Sequence, residues 1–333
     1  MQQTLQKSYG NREKYMQYEL VPFGRQFLDQ AVDLFVNSYK TEQVQSPLLP
    51  DRIIREPELI LKSLECLMEN PGVAVLADNR LIAYMLNGYY FLFKGQNSVQ
   101  VPSYCHASVP EGRDELYRLM YMNLAGGWAK SGKHVHVIGH FAHDAVLKET
   151  LFQIGFGAFL SERLRDFTPV NVENEVNVSE ERDYRKLVDL HLEHYRYYPE
   201  SPIFIIHGQN EDTIEPDLKQ HAEQGDVFLV YYRQDTPSGY FILGDSKYGH
   251  EGFLLRDTKT ALINAAYVKP DVRRQGIGET LLQSAIEWSR DNNFERLFVE
   301  HETANYYGGK FWNKHFEPYL YFSLRYIDNT IKY

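Results

Sequence analysis

The sequence predicts an α/β protein of two successive domains, residues 1–170 and 171–333, each with helices flanking a mixed β-sheet. The chain is long, because 333 residues exceed what one hydrophobic core usually organises. Both halves show the same order of predicted elements, namely helices, a hairpin and two strand–helix units. Between residues 261 and 286, a strand-like run leads through a glycine turn into an amphipathic helix, which is typical of α/β folds.

The C-terminal half begins with two predicted helices, at 180–198 and 215–224. A hairpin follows, since turn residues at 236–239 separate two short apolar runs at 227–231 and 240–244. The remaining strands are predicted, with helices after the first two of them, at 261–268, 296–300 and 319–326.

The N-terminal half repeats this order. Its elements are predicted as helices at 27–39 and 58–68, a hairpin of 73–77 with 81–91, a strand at 99–109, a helix at 114–130, a strand at 134–138, a helix at 145–154 and a closing strand at 156–167. The repetition indicates an ancient duplication, with the halves joined by the polar stretch 168–179. Chance similarity of two α/β halves is the alternative.

A short turn after the predicted strand 261–268 holds two glycines, Gly276 and Gly278, beside Arg273 and Arg274. Glycine leaves backbone N–H groups accessible, and the N-terminus of a helix favours negative charge. The turn is therefore predicted to hold a phosphate or pyrophosphate. It lacks the Gly-Lys-Ser/Thr ending of a Walker A loop and the third glycine of the dinucleotide fingerprint. An ordinary helix start with surface arginines is the alternative.

The pattern R-x-x-G-x-G at Arg273, Gly276 and Gly278 resembles the acyl-CoA pyrophosphate loop of the GNAT superfamily of N-acyltransferases. The resemblance implies two tandem GNAT-like domains, whose mixed sheets are splayed around the acyl-CoA site. It also implies a backbone N–H near 266–268 as the donor to the thioester oxygen. The residues that it assigns to acyl-CoA in this region are Ala266, Tyr267, Val268, Arg273, Arg274, Gln275, Gly276, Ile277, Gly278 and Glu279.

The segment 305–316 is similar to the second CoA-side motif of the family, N-x-x-A-x-x-F-Y-x-x-x-G-F. Asn305 matches the asparagine that bonds the pantetheine arm. Three positions depart from the motif: Gly308 replaces the alanine, His315 replaces the glycine, and Trp312 replaces the tyrosine that protonates the leaving thiolate. An indole N–H does not release a proton at neutral pH, so that role is not transferred to Trp312.

The N-terminal half carries a different sequence, Glu-Gly-Arg-Asp-Glu at 111–115, where its phosphate loop should lie. The R-x-x-G-x-G pattern is absent, and Glu111, Asp114 and Glu115 would repel a pyrophosphate. We therefore expect a degenerate N-terminal domain that does not bind CoA, and a catalytic CoA-binding domain in the C-terminal half.

The predicted motif strand offers no carboxylate to deprotonate an acceptor amine, whose pKa is about 10 when free. The best-placed titratable groups are Glu300, His301 and Glu302, at the end of the next strand. Period-2 alternation places His301 on the face opposite the two glutamates. Asp257 and His250 precede the motif strand and could also reach the site. Proton removal through water, or purely structural roles for these residues, are the alternatives.

Two tyrosines, Tyr306 and Tyr307, are candidates to protonate the leaving thiolate, and we assign Tyr307 to the catalytic set. The run His-Tyr-Arg-Tyr-Tyr at 194–198 falls where the resemblance places the acceptor site. Its aromatic rings could hold a cationic amine. Ordinary packing explains the same run equally well.

Charge and cysteine content limit the partners. The net charge is −10, of which −1 falls in residues 1–170 and −9 in residues 171–333. An acidic motif-bearing half argues against nucleic acid and suits a cationic acceptor. No apolar run approaches the roughly 20 residues of a membrane span, and residues 1–7 resemble no signal peptide. Cys66 and Cys105 form no zinc pattern, so we expect buried thiols in a reducing cytoplasm and no metal.

The sequence thus predicts a cytoplasmic, acyl-CoA-dependent N-acyltransferase, with acetyl-CoA as donor and a small cationic amine as acceptor. We expect no nucleic-acid or membrane partner, and either a monomer or a homodimer. A CoA-binding module without catalysis is one alternative, motivated by the missing strand acid and by Trp312. An aminoacyl transferase with a tRNA-borne donor is another, against which the acidic C-terminal half weighs.

Overall fold

A computed structural model describes residues 18–174, 176–208, 210–246, 253–256 and 258–332. The described residues group into two units, which are unit 1 (18–47, 51–160 and 319–332) and unit 2 (48–50 and 161–318). This division differs from the predicted boundary at residue 170. The last predicted strand belongs to unit 1, and residues 161–170 belong to unit 2.

Unit 1 combines helices with two segments of β-sheet, as the predicted mixed α/β class requires. Its elements are β1 (Glu19–Pro22), α1 (Leu28–Gln45), α2 (Arg52–Arg55), α3 (Glu58–Glu65), β2 (Gly72–Ala77), β3 (Arg80–Leu86), β4 (Tyr89–Phe93), β5 (Gln96–Val101), β6 (His106–Ser108), α4 (Arg113–Lys130), β7 (Val135–Phe141) and α5 (Ala145–Gln153). One segment is antiparallel in the order β1–β2–β3–β6. In the other, β5 runs parallel to β7, while β4 pairs with β5 in the antiparallel direction.

Two strands predicted for unit 1 are broken where they pass each other. The run 81–91 is divided between β3 and β4, and the run 99–109 is divided between β5 and β6. A Cβ at Gly88 would lie 2.3 Å from Cδ of Pro102, so the two chain segments meet without room for a side chain. Pro102 also lacks an N–H for a sheet ladder. Each predicted strand therefore ends at this crossing and continues in the other segment of sheet.

Unit 2 contains the motif strand and the glycine turn. Its strands and helices are β8 (Gly157–Arg165, from residue 161), β9 (Val178–Glu181), α6 (Val188–Tyr197), α7 (Glu211–Gln224), β10 (Val227–Arg233), β11 (Thr236–Asp245), β12 (Thr260–Val268), α8 (Ile277–Asp291), β13 (Arg296–Glu302) and α9 (Tyr306–His315). The strand order is β8–β13–β12–β11–β10–β9. Strands β9 to β12 are antiparallel, and β12 runs parallel to β13.

The closing strand β14 (Glu317–Tyr326) follows α9 in the sequence but belongs to unit 1 from residue 319. It pairs with β7 in the antiparallel direction, from Leu320 opposite Phe141 to Tyr326 opposite Val135. The sequence predicted this strand but assigned it to the C-terminal domain, because strand pairing between distant segments leaves no local signal.

The helix predicted at 180–198 is wrong over its first half. Residues up to Glu181 form β9, and a 3-10 turn precedes α6. The side chain of Asp183 marks the start of that turn by accepting a hydrogen bond from the N–H of Arg185 at 3.3 Å. Helix α7 is longer than predicted. It begins at Glu211, four residues before the predicted start near Glu215, because Asn210 caps its N-terminus.

Two hydrophobic cores lie on opposite faces of the unit 2 sheet. Along β11, Phe241 and Leu243 pack on the side of α8 and α9, while Tyr240 and Ile242 pack on the side of α6 and α7. This alternation is the period of two that a strand buried on both faces requires. The two faces therefore offer different surroundings to the residues at the end of the motif strand.

One of the two cysteines differs from its prediction. Cys105 is buried as expected, but Cys66, which follows α3, is exposed. In the part of the chain that the structure describes, no helix is both long and apolar enough to cross a membrane.

We expect Gly88→Ala to lower the free energy of unfolding by about 1–3 kcal/mol, because the added methyl group must displace Pro102. Gly126→Ala in α4 is the matched control. Its Cβ would meet nothing within 4 Å, and alanine in a helix interior should stabilise by roughly 0.5–1 kcal/mol. Urea unfolding measures both variants, and equal effects of the two substitutions would contradict the close contact.

Candidate active site

The glycine turn ends in a helix start that has no cap. Gly276 is the N-cap residue of α8 and supplies no side-chain hydrogen bond. The N–H of Thr280 is the first to bond back, at 2.9 Å from the carbonyl oxygen of Gly276. The amides of Ile277, Gly278 and Glu279 precede it and have no helical acceptor. These N–H groups and the helix dipole create a site for an anion.

Both glycines of the turn are required by local geometry. Gly276 has a φ of +86°, and a Cβ there would lie 2.5 Å from the backbone oxygen of Asn174. A Cβ at Gly278 would lie 3.1 Å from the ring of Phe311 on α9. Arg274 also has a positive φ, +61°. The turn therefore holds a backbone shape in which several amides stay uncovered by side chains.

The strands β12 and β13 separate beside this turn. Their parallel pairing covers only Thr260–Ile263 opposite Arg296–Val299. A bulge in the pairing with β11 follows at Asn264, whose exposed side chain donates to Asp226 at 2.9 Å. Beyond the bulge, the pairing that the described residues show for β12 is with β11, so a gap opens between β12 and β13.

Two amides of β12 point into this gap. The N–H of Lys269 bonds the oxygen of Ser238, and Tyr267 pairs with Tyr240 in the same register. Since hydrogen bonding alternates along an antiparallel strand, the N–H groups of Ala266 and Val268 point away from β11. Both amides fall in the range 266–268, where the resemblance predicts a backbone donor.

Arg273 lies against aromatic rings and against the end of β12. Its Nε donates to the carbonyl oxygen of Val268 at 2.9 Å. The guanidinium carbon lies 5.2, 5.6 and 5.9 Å from the ring centroids of Tyr197, Tyr267 and Tyr307. Such distances allow cation–π attraction. The side chain therefore ties the glycine turn to the tyrosines around the gap.

Asn305 begins α9 at the other side of the gap. Its Oδ1 accepts from the N–H of Gly308 at 3.0 Å and from the hydroxyl of Tyr197 at 3.2 Å. A Cβ at Gly308 would lie 2.8 Å from Nδ2 of Asn305. The replacement of alanine by glycine at 308 thus accompanies a cap that leaves no room for a methyl group.

Trp312 lies in the core between the sheet and α9. Its ring centroid is 5.8 Å from that of Phe241 and 5.4 Å from that of Phe316, and the residue is 7% exposed. The tyrosines at the start of α9 are different, since Tyr306 and Tyr307 are 53% and 58% exposed. Only the tyrosines can therefore meet a ligand without a change in packing.

The sheet face covered by α6 and α7 carries an aromatic cluster with carboxylates at its edge. The hydroxyl of Tyr267 donates to Glu193 at 3.0 Å, and His207 bonds Glu302 at 3.0 Å through Nε2. Burial raises the pKa of Tyr198, and the charges of Glu302 and Glu300 raise it further. Both glutamates of β13 thus lie near this cluster, as the alternation of β13 predicts.

His301 faces the opposite side of β13. Its Nδ1 lies 3.0 Å from the backbone oxygen of Glu302, and its ring lies 3.7 Å from a Cβ built at Gly309. Burial lowers the pKa of His301, although the carbonyl of Glu302 opposes the shift. The structure therefore separates His301 from Glu300 and Glu302 rather than bringing the three together.

The sequence flagged the run 194–198 but missed its partners. His191 and Tyr240 join His194 in a buried hydrogen-bonded set, and Asp217 closes it from α7. The spacing of three residues between His191 and His194 is the signal that places both on one helix face. His250 and Asp257 lie outside the described residues.

Unit 1 fills the corresponding position with an arginine. Gly112 caps α4 with a φ of +63°, as Gly276 caps α8. Arg113 donates to Asp144 at 2.9 Å through Nε and to the oxygen of Ser108 at 2.8 Å. Asp144 itself caps α5 by accepting from the N–H of Leu147. The starts of α4 and α5 are thus bridged by a partly buried ion pair.

The acidic residues of the turn after β6 also make it unsuitable for binding a phosphate. Burial raises the pKa of Tyr18, and the charges of Glu115 and Asp114 raise it further, so these carboxylates create a negative surrounding. Among the described residues, no group of three or more His, Cys, Asp or Glu side chains could hold a metal ion.

Known proteins resemble parts of this chain. Residues 186–316 match the acetyltransferase (GNAT) family. Over 107 residues the chain is 30% identical to streptothricin acetyltransferase A of Bacillus subtilis (strain 168). The aligned segment covers 32% of this chain and 56% of that protein. The chain therefore spans little more than half the length of this curated relative.

Solved structures show the same fold over most of the chain. A GCN5-related N-acetyltransferase from Sphaerobacter thermophilus is similar over 93% of this chain and 95% of its own, with a TM-score of 0.58 at 12% identity. A fungal multi-domain beta-N-acetylglucosaminidase with a GCN5-related glucosamine N-acetyltransferase region is similar over 93% of this chain and 38% of its own. The TM-score of that pair is 0.52 at 10% identity.

The predicted resemblance is confirmed by the family match, which includes the glycine turn, the separated strands and the asparagine-capped helix. The segment 186–316 of this chain therefore resembles an acetyltransferase domain of the GNAT family.

Proposed function

We propose that unit 2 transfers an acyl group from acyl-CoA to the nitrogen of a small cationic amine. The acyl group that we propose is acetyl, and the donor is acetyl-CoA. The observation that carries the proposal is the uncapped start of α8 beside the gap between β12 and β13. Together they offer an anion site and a row of unpaired strand amides, which are the two features that a long phosphorylated thioester requires.

The residues around the gap fit acyl-CoA along its length. Amides of Ile277, Gly278 and Glu279 would receive the pyrophosphate, with Arg274 and Gln275 exposed beside them. Asn305 would bond the pantetheine arm across the gap. The N–H groups of Ala266 and Val268 would donate to the thioester oxygen as it gains charge, and one such donor commonly contributes about 10²–10³ in rate.

The acceptor side follows from the surroundings of the aromatic cluster. Glu193, Glu300 and Glu302 supply negative charge next to the rings of Tyr198 and Tyr267. Aromatic faces and carboxylates together attract an ammonium group, and a desolvated cation–π contact contributes about 2 kcal/mol. A small cationic amine is therefore the acceptor class that suits this face.

The experiment that tests this function mixes the protein with acetyl-CoA and a panel of amines, and follows thiol release. The panel contains spermidine, lysine, glucosamine and streptothricin, the last two because similar proteins are named for them. Amine-dependent thiol release supports the proposal. Tight CoA binding without release for any amine would favour a CoA-binding module instead.

Only unit 2 is proposed to bind CoA, because Arg113 bridges to Asp144 in unit 1. We expect one CoA per chain in calorimetry. Gln275→Glu should weaken CoA binding about tenfold, since it adds a negative charge beside the amides without changing a buried residue. The exposed Gln220→Glu on α7 adds the same charge elsewhere and should leave the affinity unchanged. A second CoA, or equal affinities of the two variants, would count against this assignment.

The leaving thiolate is proposed to receive its proton from Tyr307, which lies beside Arg273 at the gap. Tyr307→Phe should lower kcat about tenfold or more and leave the Kd for CoA unchanged. Tyr306→Phe is the matched control, because Tyr306 is similarly exposed but contacts Lys310 instead. Steady-state kinetics at saturating acetyl-CoA compare them, and an unaltered kcat for Tyr307→Phe would remove the residue from the mechanism.

A further inference from the structure

A chain of hydrogen bonds runs through the buried face of unit 2 beneath α6 and α7. Asp217 Oδ2 lies 3.0 Å from His191 Nε2, and His191 Nδ1 lies 2.5 Å from the hydroxyl of Tyr240. The same hydroxyl lies 2.8 Å from Nδ1 of His194. His191 and Tyr240 are fully buried, and His194 is 7% exposed.

The position of each proton in this chain follows from Asp217. Burial raises the pKa of Asp217, but the hydrogen bond from His191 and the charge interactions with His221 and His191 together lower it below its ordinary value, so the carboxylate is ionised at neutral pH. Burial lowers the pKa of His191, so its ring is neutral and carries one N–H. That hydrogen must lie on Nε2, because a carboxylate only accepts. Nδ1 of His191 is then an acceptor.

Tyr240 transmits this choice to His194. A tyrosine hydroxyl has one hydrogen, and burial raises the pKa of Tyr240, so the hydrogen is retained. It is donated to His191 Nδ1. The oxygen of Tyr240 can therefore only accept from His194, whose hydrogen must lie on Nδ1. The lone pair of His194 is consequently on Nε2.

The unprotonated Nε2 belongs to a ring that lies against the motif strand. The ring of His194 stacks on that of Tyr267, with centroids 5.1 Å apart and planes 23° apart. Tyr267 stands between Ala266 and Val268, whose amides point into the gap. Within the described ranges, Nε2 of His194 has no hydrogen-bond partner. The lone pair is thus held next to the strand that is proposed to bind the thioester.

We propose that His194 accepts the proton of the acceptor amine at Nε2, and that Asp217, His191 and Tyr240 are positioning residues that hold its ring in the Nδ1–H form. The proposal rests on the proposed function of unit 2. In the step, an N–H bond of the ammonium breaks and its hydrogen bonds to Nε2. The freed electron pair of the amine then bonds the thioester carbon, and the C–S bond breaks to release the thiolate. The nitrogen loses its second N–H hydrogen to solvent, and the thiolate takes a proton from Tyr307, which solvent replaces.

The groups that face His194 come from every neighbouring element. They are His191 and Tyr195 on its own helix, Tyr198 at the end of that helix, Tyr240 on β11, Tyr267 on β12, His207 after α6, and Arg273 in the glycine turn. Burial lowers the pKa of His194, and positive charge on His191, His207 or Arg273 lowers it further. The imidazole is therefore neutral at neutral pH, which keeps the lone pair available.

The test begins with the spectrum of the protein without any substrate. Histidine labelled with ¹⁵N shows, in a two-bond ¹H–¹⁵N correlation spectrum, which ring nitrogen carries the hydrogen, and His194→Gln assigns the signals. We expect His194 to be protonated at Nδ1. The carboxamide introduced by Asp217→Asn can donate a hydrogen bond to His191. We therefore expect this variant to weaken the chain of hydrogen bonds or reverse its donors and acceptors, and to move the hydrogen of His194 to Nε2. A wild-type signal of the Nε2–H form would overturn the proposal.

Kinetics with an amine from the panel test the role of the lone pair. Asp217→Asn and His194→Ala should each lower kcat about 10²-fold or more, with unchanged Kd for CoA. Asp189→Asn, an exposed carboxylate on the same helix, is the matched control and should change neither the spectrum nor kcat. A changed tautomer with an unchanged kcat overturns the proton-accepting role, and a lowered kcat with an unchanged tautomer overturns the hydrogen-bond chain. If no amine is turned over, the proposed function fails, and the spectrum alone decides the form of His194.

Discussion

The separation of β12 from β13 is the constraint on which the rest of unit 2 depends. Four residue pairs hold the two strands together, and the bulge at Asn264 then turns the end of β12 toward β11 alone. In a continued ladder the amides of Ala266 and Val268 would be paired. Here they face a gap, and an unsatisfied amide costs about 1–3 kcal/mol when buried. A ligand or water must therefore supply the acceptors that β13 does not.

Unit 1 has a similar pair of strands and similar helix starts, but the space between them is filled. Its strand β5 is also held to β7 by four pairs, from Ser98 opposite Val135 to Val101 opposite Ile138. The helices that follow begin at a glycine with positive φ and at a capping side chain, as they do in unit 2. Arg113, however, fills the space with its ion pair to Asp144. The side chain of Arg113 thus occupies in unit 1 the space that is proposed to hold substrate in unit 2.

Burial of the hydrogen-bonded side chains of His191, Tyr240 and His194 costs free energy, which their hydrogen bonds must offset. His191 and Tyr240 are removed from water, and a buried polar group without a partner destabilises by several kcal/mol. Every donor and acceptor of these two side chains has a partner only in one arrangement of hydrogens. The carboxylate of Asp217, one quarter exposed, sets that arrangement from the surface of α7.

Local features of the site could be predicted from the sequence. The turn at Gly276 and the cap at Asn305 depend on backbone conformation and on spacings of a few residues, which the amino-acid order encodes directly. The alternation that separates His301 from Glu300 follows from strand geometry alone. The family match supports the interpretation of these motifs.

Features that depend on distant contacts could not be predicted. Strand β14 was predicted within the C-terminal half, whereas its residues from 319 group with unit 1, because its pairing with β7 joins residues far apart in the sequence. The chain from Asp217 to His194 joins residues that are 26, 49 and 46 positions apart, and no local pattern indicates it. The sequence by itself determined the type of each element and the backbone of the glycine turn, since these depend on neighbouring residues. The tertiary structure alone decided which side chains meet on the acceptor face, because strand register and helix packing set distances between groups that the chain does not connect locally.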